Sequence, residues 1–249
     1  MIIDAHAHLG IDLVFEEVRT EAEIMTMMDA NKVDATILQG MYGHIYLDEI
    51  KENHDRIAAL AKDNLRRIFG MITMTPYLHE ADFYNEAKRC VQELGFVGMK
   101  LHPMAFGCSP LNARAEMMWR ICGELNIPMM VHTGGGAPLS LPSLVIRRCK
   151  QFPDVPCAIA HSGTLIYADE AFLAAHECPN VYLETSWTAP HHIIHAIKTF
   201  GAARILFAAD EIANVATEIA KYASLPISGA DREQCLWRTA NTLFRLGFV

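Results

Sequence analysis

A single (β/α)8 TIM-type barrel of the α/β class is the fold predicted by three observations. Short apolar runs alternate with amphipathic stretches along the chain. There are eight such runs, and no GxGxxG or GxxxxGK[ST] nucleotide loop follows any of them. The runs are Ile2–His8, Asp34–Gln39, Arg67–Thr73, Phe96–His102, Pro128–His132, Val155–His161, Val181–Thr185 and Arg204–Asp210. Their brevity and apolar content suit strands buried on both faces of a parallel sheet. An open doubly wound sheet is the rival, and the missing nucleotide loops count against it. The chain has 249 residues, 51% of them hydrophobic, with no linker-like composition shift. One barrel domain over residues 1–249 is therefore expected.

The stretches between the runs carry helical spacing. Ile24, Met27 and Met28 form one stripe, with Asn31 as a stop. Ala87, Cys90, Val91 and Leu94 follow i, i+3, i+4, i+7 and end at Gly95. Ala115, Met118, Trp119 and Cys122 run to Asn126, and Ile193, Ile194 and Ile197 precede Gly201. Gly or Asn after the last apolar residue is the expected helix end. The methionines and aromatics at these positions read as core packing. The tail Asp231–Val249 is expected to form a C-terminal helix packed on the barrel.

Composition excludes several classes. The formal net charge is −8 with Lys and Arg scattered, so no nucleic-acid partner is expected. No apolar run approaches the ~20 residues of a membrane span, and the opening MIIDAHAHLG has no targeting character. Seven cysteines without a CxxC pair suggest reduced thiols in a cytoplasmic protein. The expected partner is a small-molecule substrate, and a homo-oligomer is compatible with the sequence.

Polar residues sit where apolar runs end. His6 and His8, two apart on a strand, point to one face. Lys100 and His102 end the fourth run, His132 the fifth, His161 the sixth and Asp210 the eighth. In a barrel these C-terminal strand ends face one cavity. Imidazoles and a carboxylate there are costly to bury unless something compensates them. A shared divalent ion does so. Nitrogen and carboxylate donors suit a borderline ion; zinc is the expected one, with manganese, iron and cobalt as alternatives, at one or two ions per chain.

The segments Ile3–Gly10 (IDAHAHLG), Gly98–Pro103 (GMKLHP), Val131–Gly134 (VHTG), Ala160–Gly163 (AHSG), Val181–Ser186 (VYLETS) and Phe207–Asp210 (FAAD) together resemble the amidohydrolase superfamily, in its amidohydrolase-related (amidohydrolase 2) branch, from residue 3 to residue 210. The resemblance implies metal ligands at His6, His8, His132 and Asp210. It makes His161 either a catalytic base or a ligand of a second ion, and Lys100 a carboxylated bridge if two ions are present. The eighth strand departs from the family's Gly-Ser/Thr-Asp pattern: it reads Ala208-Ala209-Asp210 and continues into Glu211, a helix-start residue or a competing ligand.

The expected activity is that of a metal-dependent hydrolase in which an ion-activated water attacks an amide, ester or lactone, with Asp210 and His161 as catalytic groups. The alternative is a decarboxylase on the same scaffold. A TatD-like nuclease and a binding protein with a vestigial site rank below these. His102, Tyr42 and Trp187 are expected to bind substrate, with Met104 and Phe106 as apolar wall, and Tyr42, His44 and Tyr46 in a loop over the mouth. Glu184 serves the site or makes a structural hydrogen bond. Thr133–Gly136 is an anion cradle or a plain turn. His191 and His195 read as a solvated helix face, and His54, His79 and His176 as surface residues.

Overall fold

The computed structural model describes residues 1–249. Its centre is a curled sheet of nine strands: β1 (Ile3–Ile11), β2 (Val18–Arg19), β3 (Ala35–Gly40), β4 (Ile68–Thr73), β5 (Met99–Leu101), β6 (Met129–His132), β7 (Cys157–Ala160), β8 (Val181–Glu184) and β9 (Ile205–Leu206). All eight expected runs supply a strand, and these eight lie parallel in chain order from β1 to β9. The ninth, β2, is a two-residue strand that turns back antiparallel on β1. At the far side the chain returns to its start: Ala5 N–H donates to Phe207 O at 3.3 Å and Asp210 N–H to His6 O at 2.8 Å.

The helices lie outside this sheet: α1 (Glu21–Asn31), α2 (Leu47–Asp63), α3 (Glu80–Gln92), α4 (Pro103–Phe106), α5 (Ala113–Leu125), α6 (Ile146–Gln151), α7 (Ala168–Glu177), α8 (Pro190–Phe200), α9 (Val215–Ser224), α10 (Gly229–Glu233) and α11 (Thr239–Phe244). Local chemistry sets their ends. Thr20 caps α1 in a reciprocal box with Glu23. Asn126 closes α5 in the left-handed conformation, as its position in the sequence implies.

Two separate buried clusters follow from the strand period. Leu38, Ile72, Leu101, Val131, Ile159 and Leu183 face outward and pack under the helices. Ile3, Ala5, Ile37, Met71, Met130 and Ala158 face inward, and Trp237, Ala240, Leu243 and Phe244 pack against them. The C-terminal helical segment is thus a floor under the inner cluster.

A register shift between Asp4 and Ala7 of β1 matters for function. Ile3 and Ala5 point inward, whereas Ala7 and Leu9 point outward. The extra residue reverses the alternation, so His6 and His8 also face inward, above the apolar layer. Asp4 holds this irregularity: its Oδ1 accepts from His6 N–H at 3.2 Å and Ala209 N–H at 2.9 Å. Burial pushes the Asp4 carboxyl up to about 8.

Candidate active site

The rim of the sheet at the C-terminal strand ends holds a cavity of about 300 Å³. His6, His8, Tyr42, His102, His132 and Asp210 line it, together with Asp12, Phe15, Glu17, Met41, Met104, Gly135 and Glu211. His6 is buried and doubly held. Its Nδ1 lies 3.2 Å from Glu184 Oε2, and since a carboxylate only accepts, that nitrogen carries the hydrogen and Nε2 offers its lone pair. His6 Nε2, His8 Nε2 and Asp210 Oδ1 form a triangle with sides of 3.1, 3.2 and 3.3 Å. Donors at ~2.1 Å from one ion are separated by about 3.0 Å in octahedral and about 3.4 Å in tetrahedral geometry. The triangle therefore fits one face of a divalent ion's coordination shell.

The charges agree with this use. Burial lowers His6 to about 3, and the nearby Lys100 adds to the effect, so the imidazole is neutral and free to donate electrons. Burial alone would raise Asp210, but His161, His6 and His8 overcome it and hold the carboxylate well below the usual range. Glu184 behaves alike: burial opposes ionisation, and the hydrogen bonds and histidines around it win, bringing it to about 2. Lys100 is wholly buried, its Nζ 2.8 Å from His6 Nε2, and burial lowers it to about 8.

His132 is placed differently from the expectation. Its Nε2 lies 3.0 Å from Gly135 O and its Nδ1 3.1 Å from His161 Nε2. A carbonyl only accepts, so His132 Nε2 carries hydrogen, and its Nδ1 accepts from His161 Nε2–H. His161 Nδ1 in turn accepts from Ser186 Oγ–H at 2.7 Å. His132 thus stands outside the triangle, because the Gly134–Gly136 turn folds a carbonyl over it. Gly134 and Gly136 have φ of +98° and +90°, and a Cβ there would lie 2.6 Å from Thr164 and 2.7 Å from Met104. The turn presents a carbonyl to His132, which is no anion cradle. His161 lies beneath the wall and meets the cavity through His132.

Tyr42 is buried between His8, His102 and Phe106, and its hydroxyl has no partner in the protein. His102 caps α4 by accepting Ala105 N–H at Nδ1 and stacks on His132 with ring centroids 3.8 Å apart. Trp187 does not line the cavity; its indole N–H donates to Asp210 Oδ2 at 2.8 Å. Phe106 backs Tyr42 instead of forming wall, Tyr46 is exposed at the start of α2, and His44 bonds to Ile11 O at 2.9 Å. Glu211 is no competing ligand, for Arg19 on β2 takes its carboxylate at 2.6 Å.

His54 corrects another expectation. It is fully buried, bonded to Glu86 at 2.7 Å, whereas His79, His176, His191 and His195 are exposed as expected. Glu184 is the residue whose role the sequence left undecided. It ties His6, the His161 N–H at 2.9 Å and the Ser186 N–H together, a role visible only once three strands are assembled.

A sequence profile of the amidohydrolase family matches residues 3–246. The chain belongs to the amidohydrolase family. No curated protein matches it in sequence. Among solved structures it is similar to a dihydroxybenzoic acid decarboxylase from a Polaromonas species, which holds manganese and the inhibitor 2-nitroresorcinol, at 18% identity and TM-score 0.80, covering 100% of this chain and 98% of that one. The 5-carboxyvanillate decarboxylase of Sphingomonas paucimobilis matches at 13% identity and TM-score 0.81, covering 98% of each. The 4-oxalomesaconate hydratase of Rhodopseudomonas palustris matches at 15% and 0.76, covering 99% of this chain and 96% of that one.

These likenesses correct the hydrolase expectation. The amidohydrolase-fold proteins that overlay nearly the whole chain are mostly decarboxylases, with a hydratase and a protein named only as an amidohydrolase among them, so a hydrolytic activity does not follow from the fold. The metal of the Polaromonas enzyme is manganese; in this chain the grouped His and Asp donors fit a divalent ion without singling out zinc. No helix is long and apolar enough to cross a membrane.

Proposed function

We propose that this amidohydrolase-family protein is a metal-dependent decarboxylase acting on a small carboxylic acid. The observation that carries the reading is the triangle of His6 Nε2, His8 Nε2 and Asp210 Oδ1 at the cavity floor. The likeness to dihydroxybenzoate and carboxyvanillate decarboxylases supports it. In this reading the whole chain is one domain, and its sheet is a closed (β/α)8 barrel, supported by the hydrogen bonds from β1 to the segment after β9.

His6, His8 and Asp210 hold the ion, manganese before zinc. When bound, it supplies positive charge that draws the substrate's oxygen and steadies the charge developing nearby. Phe15, Met104 and the Tyr42 and His102 rings confine the organic part of the substrate. The bond from carbon to the carboxylate breaks, carbon dioxide leaves, and the electron pair stays on carbon, which then takes a proton. That proton comes from solvent, and the His132–His161 pair, joined by its Nε2–H to Nδ1 hydrogen bond, stands at the wall and gives up none of its own. Burial keeps both imidazoles below the usual histidine range, His132 at about 2, so the pair acts as neutral hydrogen-bonding groups at neutral pH.

The test is carbon dioxide release by manganese-loaded protein from a panel of hydroxylated aromatic and unsaturated acids, 2,6-dihydroxybenzoate among them. Release above the metal-free control, abolished by His6→Ala, is expected. No release from any acid, with manganese bound, overturns the reading.

A further inference from the structure

Asp210 has two carboxylate oxygens with different surroundings. Oδ1 faces His6 and His8; Oδ2 accepts the Trp187 indole N–H. The indole is half exposed, so hydrophobic burial alone does not fix it there. The backbone does. Trp187 has φ of +60°, a conformation that costs a bulky residue free energy and persists only where its surroundings impose it. Asp210 itself has φ of +68°.

The surroundings form a closed circuit. Trp187 N–H donates to Glu218 Oε1 at 3.0 Å. The same oxygen accepts from Asn214 Nδ2 at 3.2 Å, and Asn214 Nδ2 also donates to Ala209 O at 3.0 Å, next to Asp210. Lys221 pairs with Glu218 and donates to Thr188 O at 2.8 Å, tying α9 to the turn that carries Trp187. Glu218 and Asn214 are buried. The ring of contacts thus starts at the Asp210 segment, passes through α9 and the β8 turn, and returns to Asp210 through the indole.

We propose that Trp187 is a positioning residue that holds Asp210 Oδ2, so that the carboxylate offers the ion a single oxygen, Oδ1. This rests on the metal site of the preceding section and adds what that site does not require: a residue outside the cavity that sets how Asp210 binds.

The test uses Mn²⁺ alone, titrated into metal-free protein, beside the thermal midpoint of the metal-free form. Trp187→Phe keeps an aromatic ring and removes the donor; outer partners of metal ligands are typically worth ~10–100-fold in affinity, and a weakening of that order is expected with the midpoint unchanged. Glu218→Ala leaves the indole in place and frees the Trp187 backbone, so a smaller weakening, about threefold or more, is expected and serves if Trp187→Phe does not fold. Unchanged Mn²⁺ affinity in either folded variant overturns the proposal. A weakening that appears only with a lowered midpoint makes Trp187 a structural residue and also overturns it. Wild-type protein that binds no Mn²⁺ overturns the metal reading itself, a result distinct from the other two.

Discussion

Two buried histidine–carboxylate clusters lie in this molecule, and they are built for opposite ends. The inner one, at the strand ends, joins His6, His8, Glu184 and Asp210. The outer one, between α2, α3 and β4, joins His54, Glu86 and Cys90. In the outer cluster His54 Nδ1 and Glu86 Oε1 are 2.7 Å apart, an ordinary hydrogen bond and too close for two ligands of one ion. His54 Nε2 meets the Thr73 backbone at 3.2 Å, Arg89 covers Glu86 through two bonds of 2.8 Å, and none of its three residues lines the cavity of the inner site. In the inner cluster the donors stand 3.1–3.3 Å apart, open onto the cavity, and Tyr42 nearby keeps an unpartnered hydroxyl. Similar residue types are thus saturated where they hold helices together and left open where they face the cavity. The backbone repeats the difference: His161, Ser162, Trp187 and Asp210, all near the inner site, have positive φ, whereas His54, Glu86 and Cys90 do not.

The comparison can be broken most directly by removing one member of each cluster. His6→Ala or Asp210→Ala should abolish manganese retention, measured by elemental analysis, while far-ultraviolet circular dichroism remains native; full metal content in both would erase the distinction. His54→Ala should leave metal content intact and cost about 3 kcal/mol in urea unfolding, since it opens a void and strips a buried carboxylate of a donor. Loss of metal with no loss of stability would reverse the two roles.

Acid sharpens the contrast. Burial opposes ionisation of Glu86, but His54 and Arg89 prevail and bring it to about 2, against an ordinary 4.5. The folded state therefore binds this proton less readily than the unfolded chain. The stability Glu86 provides is complete above about pH 4.5 and is lost as pH falls through about 2, a change of roughly 3 kcal/mol. Unfolding midpoints of wild type and Glu86→Gln should diverge at neutral pH and converge at the acid end; a constant gap would refute this. The smallest expected effect concerns thiols. All seven cysteines are buried, and burial pushes Cys122 and Cys90 above the usual thiol range, so a thiol reagent should label none in the native protein at neutral pH. Rapid labelling of Cys90 would show that the outer cluster opens.

The eight parallel strands were legible because each is a short apolar run whose polar residues fall at one end. The two-residue β2 was not, since no period exists over so few residues. His54 was misread although a signal was present: it falls in helical register with Ile50 and Ile57, the buried face of α2. Glu86 likewise shares the face of Phe83, Ala87 and Cys90. At the inner site His6, His8 and Asp210 could be placed from strand ends alone. The turning away of His132 could not, because it depends on how the Gly134–Gly136 turn folds back. Nor could the contact of Trp187 with Asp210, which needs a left-handed residue that no local pattern announces.

The pairing of β1 with the segment after β9 has a consequence for biosynthesis. His6 and His8 leave the ribosome early, whereas Asp210 follows more than 200 residues later, and the floor helices later still. At ~5–20 residues per second, translation separates the two halves of the triangle by on the order of ten seconds or more. On the proposed metal site a nascent chain offers two imidazoles but no third donor during that interval, so an ion held there would be captured by the nearly finished polypeptide.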